Sequence, residues 1–426
     1  MIRELSFGEL RMHLLHHMGG GTTQGALNQR IFGHIDIDKF RQVLGKVIEL
    51  NAPLQYVIRK EQGRYGFFYG DKHFNVDDFL IINEKSNSPE TWDKKLVFEN
   101  ESLLDSASQL WRISIDTYPS GYAFWDITLV MHHALMDAAG SEYLLGEIFN
   151  GLYANQSGEP LHRQNDMTSM ETNALTKCEW DQFAQIQSSV ADHVTGLKLM
   201  HHLCSAPLLL RRNCVQFFKL GKSETKQLSL FAADKDVSVN SLISALLLNA
   251  VSQHSPSRDQ FALYSAISMR TFCPDVPDKG LGCYLNVMPT FHTIKLNNLE
   301  GICDLAKDHK VQTQKAFLEV GRWVPTTYNT KHVEQMIKGA TESNQFKNDV
   351  GFTYAETDDT ERNYRVLHKY VIARRNIGNV ALILHGLKEN GEIFFTLTHV
   401  EPIQSKEWAF AVKQTFMEEL DSLCSA

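Results

Sequence analysis

A chain of 426 residues, 43% apolar and 22% charged, is long enough for two domains of ordinary size and apolar enough to build their cores, which excludes wholesale disorder. A net charge of −8 and a pI near 6.1 exclude broad, non-specific nucleic-acid binding, which needs a basic surface, while leaving room for a local basic patch that takes an anionic ligand. No stretch reaches the length of a transmembrane helix, "MIRELSFGEL" is charged where a secretory signal would be apolar, and seven cysteines without a CxxC pair read as free thiols; the expectation is a cytoplasmic protein.

In chain order, "GALNQRIFGHIDIDKFRQVLGKVIEL" starts as a strand. It passes a turn at Asp36 and Asp38 and continues as a helix with Phe40, Val43, Leu44, Val47 and Ile48 at helical spacing. "RYGFFYG", "LWRISIDT" and "YAFWDITLVM" alternate as strands do, and "YPSGY" between the last two is a hairpin turn. From Ser141, the residues Leu144, Leu145, Ile148, Phe149 and Leu152 form the apolar stripe of a helix. "ANQSGEPLHRQNDMTSMETN" then breaks the pattern with polar residues, Gly and Pro, as a passage between domains does.

Downstream, "DVSVNSLISALLLNAVSQ" reads as a buried helix opened by a Ser/Asn capping signal, with Asn240 as a cap residue. "FALYSAISM", "CYLNVMPTF", "VGFTY", "YRVLHKYVIA", "NVALILHGL" and "EIFFTLTHV" read as strands. "SKEWAFAVKQTFMEELDSL" closes as an amphipathic helix with Trp408, Val412, Phe416 and Leu420 on one stripe. The expected fold class is therefore α+β in two lobes: a first lobe over 1–165, a crossover over 166–210 and a second lobe over 211–426. A cleft between the lobes is the expected ligand site.

One stretch, "MHHALMDAAGSEYLL", joins a strand to a helix through two adjacent histidines and Asp137. A period of two places Trp125, Ile127, Leu129, Met131 and His133 on one side of the strand and Asp126, Thr128, Val130 and His132 on the other. The two imidazoles therefore diverge, which counts against a metal site, and no HExxH or Cys/His cluster supplies more ligands. One histidine is left to pack and the other to offer a ring nitrogen to a cleft, where a neutral imidazole can take a proton from an alcohol or amine. Adjacency alone proves little among 18 histidines, since His16/His17 and His201/His202 are also paired. The setting of strand, histidine, Asp137, Gly140 and helix singles out the first pair. "GGGTTQGAL" lacks the Lys-Ser/Thr ending of a phosphate loop, and no GxSxG nucleophile elbow occurs.

"HHALMDAAGSEYLL" resembles the HHxxxDG motif of the CoA-dependent acyltransferase superfamily, which includes chloramphenicol acetyltransferase-like enzymes and peptide-synthetase condensation domains, together with polyketide-associated and plant acyltransferases. "IFGHIDIDKFRQVLGKVIELNAPLQ", "SLLDSASQLWRISI", "DVSVNSLISALLLNAV" and "SMRTFCPDVPDKGLGCYLNVMPTF" resemble further family segments in the same order, spanning residues from about 30 to 290. The resemblance implies two chloramphenicol acetyltransferase-like lobes with mixed sheets and the active-site channel between them. It implies His133 as the general base of direct acyl transfer without an acyl-enzyme. Asp137 would form a structural salt bridge with Arg270, His132 and Gly140 would support the turn, and Asn286 would line the channel.

Three segments depart from the family pattern. Asn51-Ala52 stands where the family usually has Arg-His, "NDVGFTYAE" occupies the place where some members carry a Ser-Asn-Leu-Gly segment, and Ala138 follows Asp137 where the motif has glycine. If that position needs a left-handed backbone, alanine costs about 1 kcal/mol. The implied function is transfer of an acyl group from acyl-CoA or an acyl carrier protein to an alcohol or amine, with no permanently bound cofactor, no metal and no nucleic-acid partner, in a monomer. A free-standing condensation enzyme forming amides, and a catalytically silent relative that binds a carrier protein or thioester, are the alternatives.

Overall fold

The computed structural model of the chain describes residues 1–70, 75–84, 88–119, 121–153, 161–173, 176–192, 199–273, 275–276, 280–294, 298–357 and 362–425. Part of the expected interdomain passage, 154–160, and the residues 274 and 277–279 of the arginine segment lie outside the described residues. So does residue 120 of the hairpin turn.

A five-stranded sheet runs in the order Val366–Ala373, Gly25–Phe32, Phe124–Met131, Trp111–Asp116, Leu80–Asn83. Strict alternation in Phe124–Met131 sends Trp125, Ile127, Leu129 and Met131 into one apolar core. The helices Ile37–Leu50 and Ala138–Tyr153 fill that core, the first with Phe40, Val43, Leu44, Val47 and Ile48. Full burial of each such side chain contributes roughly 1.5–3 kcal/mol. Asp36 starts the first of these helices by accepting the Lys39 N–H at 3.0 Å.

A six-stranded sheet follows the order Leu285–Thr293, Gln260–Ser268, Asn348–Glu356, Val380–Glu389, Glu392–Glu401, Arg212–Leu220. Its core is a separate apolar cluster shared with the helices Val239–Gln253, Leu299–Ala316 and Lys406–Ser425. Ser238, not Asn240, caps Val239–Gln253, accepting the Ser241 N–H at 3.0 Å. A cap must sit outside the first helical turn, and Asn240 is already the second helical residue.

The two sheets are tied by a strand that crosses over. Val366–Ala373 comes from the stretch expected to belong wholly to the second lobe, yet it pairs antiparallel with Gly25–Phe32 at the edge of the first sheet. The next strand, Val380–Glu389, returns to the second sheet. Tyr370 and Ile372 on the crossing strand pack with Ala26, Val130 and Phe394 in a third cluster along this seam. Lys369 on its other face is fully buried, its ammonium 2.7 Å from Glu142 and 3.2 Å from Glu389. Among the described residues no helix is long and apolar enough to cross a membrane.

Candidate active site

The histidine strand stops at Met131, and the next six residues make a tight turn into the helix Ala138–Tyr153. The Leu135 N–H donates to the His132 carbonyl at 2.9 Å. Met136 then pairs with Gly282, whose carbonyl accepts the Asp137 N–H at 3.0 Å. Within the turn, His133 Nδ1 lies 3.1 Å from the Met136 carbonyl oxygen. A carbonyl only accepts, so Nδ1 carries the proton and Nε2 keeps its lone pair. Burial, then the nearby Arg375 charge, push the His133 pKa down to about 4, opposed by the Asp137 charge and the Met136 carbonyl. At neutral pH His133 is an uncharged imidazole of fixed orientation.

His132 faces the other way and is fully buried. Its Nδ1 accepts the Ala134 N–H at 3.0 Å, and its ring packs on His16 at 4.7 Å and His13 at 5.7 Å between centroids. Burial and the neighbouring histidines hold its pKa well below 6.5. The two rings do not converge on a common ligand, as the strand period requires. A separate trio, Cys214, His399 and Glu401, brings its ligand atoms within 4.8 Å of one another on paired strands of the six-stranded sheet and includes none of the candidate residues. All seven cysteines are free thiols.

Asp137 binds rather than reacts. Its Oδ1 takes an Arg270 Nη2 hydrogen bond at 2.9 Å and the Gly140 N–H at 2.9 Å, while Oδ2 takes the Tyr284 N–H at 3.0 Å. Arg270 also donates to the Gly280 carbonyl at 2.9 Å and stacks over the Tyr284 ring. With both charges buried, this geometry has to offset their desolvation, and it joins the 131–140 turn to the 280–284 loop. Gly140 and Gly282 are required sterically. A Cβ on Gly140 would stand 2.9 Å from the Met136 Cβ and 3.3 Å from the Gly280 oxygen. Gly282 has φ +144°, and a Cβ there would run into the Tyr284 ring.

The expected penalty at Ala138 does not arise. Ala138 is the exposed first residue of its helix and has no left-handed backbone; Thr23, Gln62, Asp236 and Asn390 are the described non-glycine residues with positive φ. The helix begins directly after Asp137, so the turn is completed by Gly140 inside the first helical turn instead.

Asn286 sits at the start of the strand Leu285–Thr293, two residues past Tyr284, with its Oδ1 accepting the Val287 N–H at 2.9 Å. Two further residues lie within electrostatic reach of His133, Arg375 and His385; the Arg375 charge lowers the pKa of both histidines. A cavity of about 970 Å³ opens elsewhere, beside Arg3, Glu171 and Tyr328, and none of the expected residues lines it.

No family model and no curated protein matches the sequence. Solved structures do match, over 99% of this chain. A trichothecene 15-O-acetyltransferase from Fusarium sporotrichioides superposes with a TM-score of 0.76 at 9% identity over 94% of its length. The starter condensation domain of rhizomide synthetase, in complex with C8-CoA, gives 0.72 at 14% identity and 94% coverage. Polyketide synthase associated protein 5 from Mycobacterium tuberculosis gives 0.69 at 15% identity and 98% coverage. The chain therefore has the α+β fold shared by condensation domains and chloramphenicol acetyltransferase-like acyltransferases.

Proposed function

We propose that the protein transfers an acyl group from a thioester to an alcohol or amine, with His133 as general base. The observation that carries this is the His133 ring: Nδ1–H is committed to the Met136 carbonyl, and a neutral Nε2 is left to accept a proton. In the proposed step the acceptor oxygen or nitrogen attacks the thioester carbonyl carbon as Nε2 takes its proton. The tetrahedral intermediate collapses by breaking the carbon–sulfur bond, and the imidazolium returns the proton to the thiolate. Asp137 and Arg270 hold the turn, His132 packs beneath it, and Asn286 lines the channel between the lobes.

Acyl-CoA is the preferred donor, supported by the C8-CoA held by the rhizomide neighbour; a phosphopantetheine-linked acyl carrier is the second source. Esterification is the preferred reaction, supported by the fold likeness to an O-acetyltransferase. The silent-relative reading loses its one motive, because Ala138 imposes no backbone strain. We place the protein in the cytoplasm as a monomer, with both lobes in one chain completing the site.

The test is thiol release from a panel of acyl-CoAs and acyl-carrier thioesters with pooled alcohols and amines. Acceptor-dependent release should fall about 10²–10⁴-fold in His133→Ala. Equal release by both proteins would remove His133 from the mechanism. No release by either, from donors shown to bind, would make the protein a binding module.

A further inference from the structure

Three rows of side chains cross the first sheet on the face that bears His133. Gly25 is paired with Met131 on one side and Ala373 on the other, Leu27 with Leu129 and Val371, and Gln29 with Ile127 and Lys369. Directly opposed residues point to the same face. The strands Phe124–Met131 and Val366–Ala373 run in the same direction, so both end at the same rim of the sheet. His133 is two residues past Met131, and Arg375 is two residues past Ala373. Both residues thus lie just past the last paired row at the same rim of the sheet, with the strand Gly25–Phe32 between their two strands.

The cations around this rim have anionic or carbonyl partners. Arg374 donates to the Gly20 carbonyl at 2.8 Å and to Glu101 at 2.7 Å. Lys369 sits between two carboxylates, Arg270 holds Asp137, and Arg211 donates to the Ile377 carbonyl at 2.6 Å. Arg375 differs. Its backbone N–H is pinned to Asn213 Oδ1 at 3.0 Å, yet its half-buried guanidinium has no hydrogen-bond or ion-pair partner among the described residues, and its Nε is buried. Near it stand His133 and His385, both neutral at pH 7; His385 is nine-tenths buried and its Nδ1 is also without a partner. A half-buried guanidinium with its backbone pinned and no ion-pair partner among the described residues leaves one charge unanswered, and its planar fork matches a carboxylate.

We propose that Arg375, with His385 as a second donor, binds an anionic group of the acceptor, a carboxylate close to the hydroxyl or amine that His133 deprotonates. This makes the acceptor a hydroxy acid or amino acid type of molecule. The phosphates of coenzyme A are the other anionic source, but the pantetheine arm separates them from the thioester, whereas Arg375 lies at the same rim as the base and its charge reaches it. The inference rests on the transferase reading for its consequence, though anion binding at Arg375 stands by itself.

The experiment pairs hydroxy acids and amino acids with their primary amides, as acceptors with a fixed acyl-CoA donor and as soaked or titrated ligands without donor. Wild type should favour acid over amide at least tenfold in kcat/KM, and Arg375→Gln should bring that ratio towards one, with Arg375→Lys recovering part of it. Crystals of wild type should show the carboxylate on Arg375, and Arg375→Gln crystals should not. Because the charge is unpaired in the free protein, Arg375→Gln should melt no lower than wild type, which separates a ligand role from a structural one. Equal losses for acid and amide would overturn the proposal in favour of a role at the tetrahedral oxyanion. Turnover of neutral acceptors without acid preference would overturn it while leaving the transferase reading intact. Carboxylate binding without any turnover would support the anion site and defeat the transferase reading. Coenzyme A phosphate density on Arg375 would reassign the site to the donor.

Discussion

Two strand ends lie at one rim of the first sheet, and they are built in opposite ways. The end at 131–140 is closed: His133 Nδ1, both Asp137 oxygens, Arg270 and the backbone of Gly140 are all committed to partners within the turn or the 280–284 loop. The end at 373–376 is closed in its backbone and at the Arg374 and Asn376 side chains; the Arg375 side chain is left open. The difference teaches how such a site divides its labour. The groups that fix the base are satisfied internally, although His132 Nε2 beneath them is buried without a partner, whereas the Arg375 guanidinium carries a charge that no described residue pairs.

The contrast can be broken most severely at its closed end. Asp137→Ala leaves Arg270 buried without its carboxylate, and we expect about 3–5 kcal/mol of lost stability in urea denaturation. Activity should be lost with it. Acidification should act on the buried histidines of both sheets together. His13, His309, His368 and His385 are each held near a pKa of about 3 by burial, against about 6.5 in an unfolded chain. Between those values the unfolded chain binds more protons, so stability is complete above pH 6.5 and falls as pH drops towards 3, readable as a declining melting temperature.

Activity should show the same logic at one residue. The acid limb of kcat/KM should lie near pH 4, because His133 protonates only there, and in Arg375→Gln it should move upward as a depressing charge is removed. Gly140→Ala should cost about 1–3 kcal/mol, since the new methyl meets Met136 and the Gly280 carbonyl, and it should lower kcat with KM less affected. The smallest effect is expected at Ala138→Gly. Restoring the glycine of the motif should destabilise by no more than about 1 kcal/mol and bring no gain in turnover, because no left-handed residue is needed there.

Much of the closed end was legible in the sequence, and the open end was not. Alternation in "YAFWDITLVM" foretold the divergent histidines, and the motif resemblance led from Asp137 to Arg270 across 133 positions. Arg375 and His385 carried no local signal. The nearness of Arg375 to His133 depends on a pairing register between strands more than 200 residues apart, which no window along the chain contains, and His385 comes from the other sheet. "YRVLHKYVIA" is legible as a strand within 211–426, but its alternation is the same whichever sheet receives it, so its pairing with Gly25–Phe32 is not. Arg212–Leu220 and the helix Phe7–Met18 were not read at all; the strand mixes apolar and polar residues without clean alternation, and the helix contains three histidines.

The crossing strand also sets an order on synthesis. Gly25–Phe32 is covered at one edge only when Val366–Ala373 has been made, more than three hundred residues later, or roughly tens of seconds at ordinary elongation rates. Through that interval the first lobe carries an unpaired edge, open to other chains. Its completion, and with it the arrival of Arg375 at the rim that bears His133, waits until the crossing strand has emerged from the ribosome.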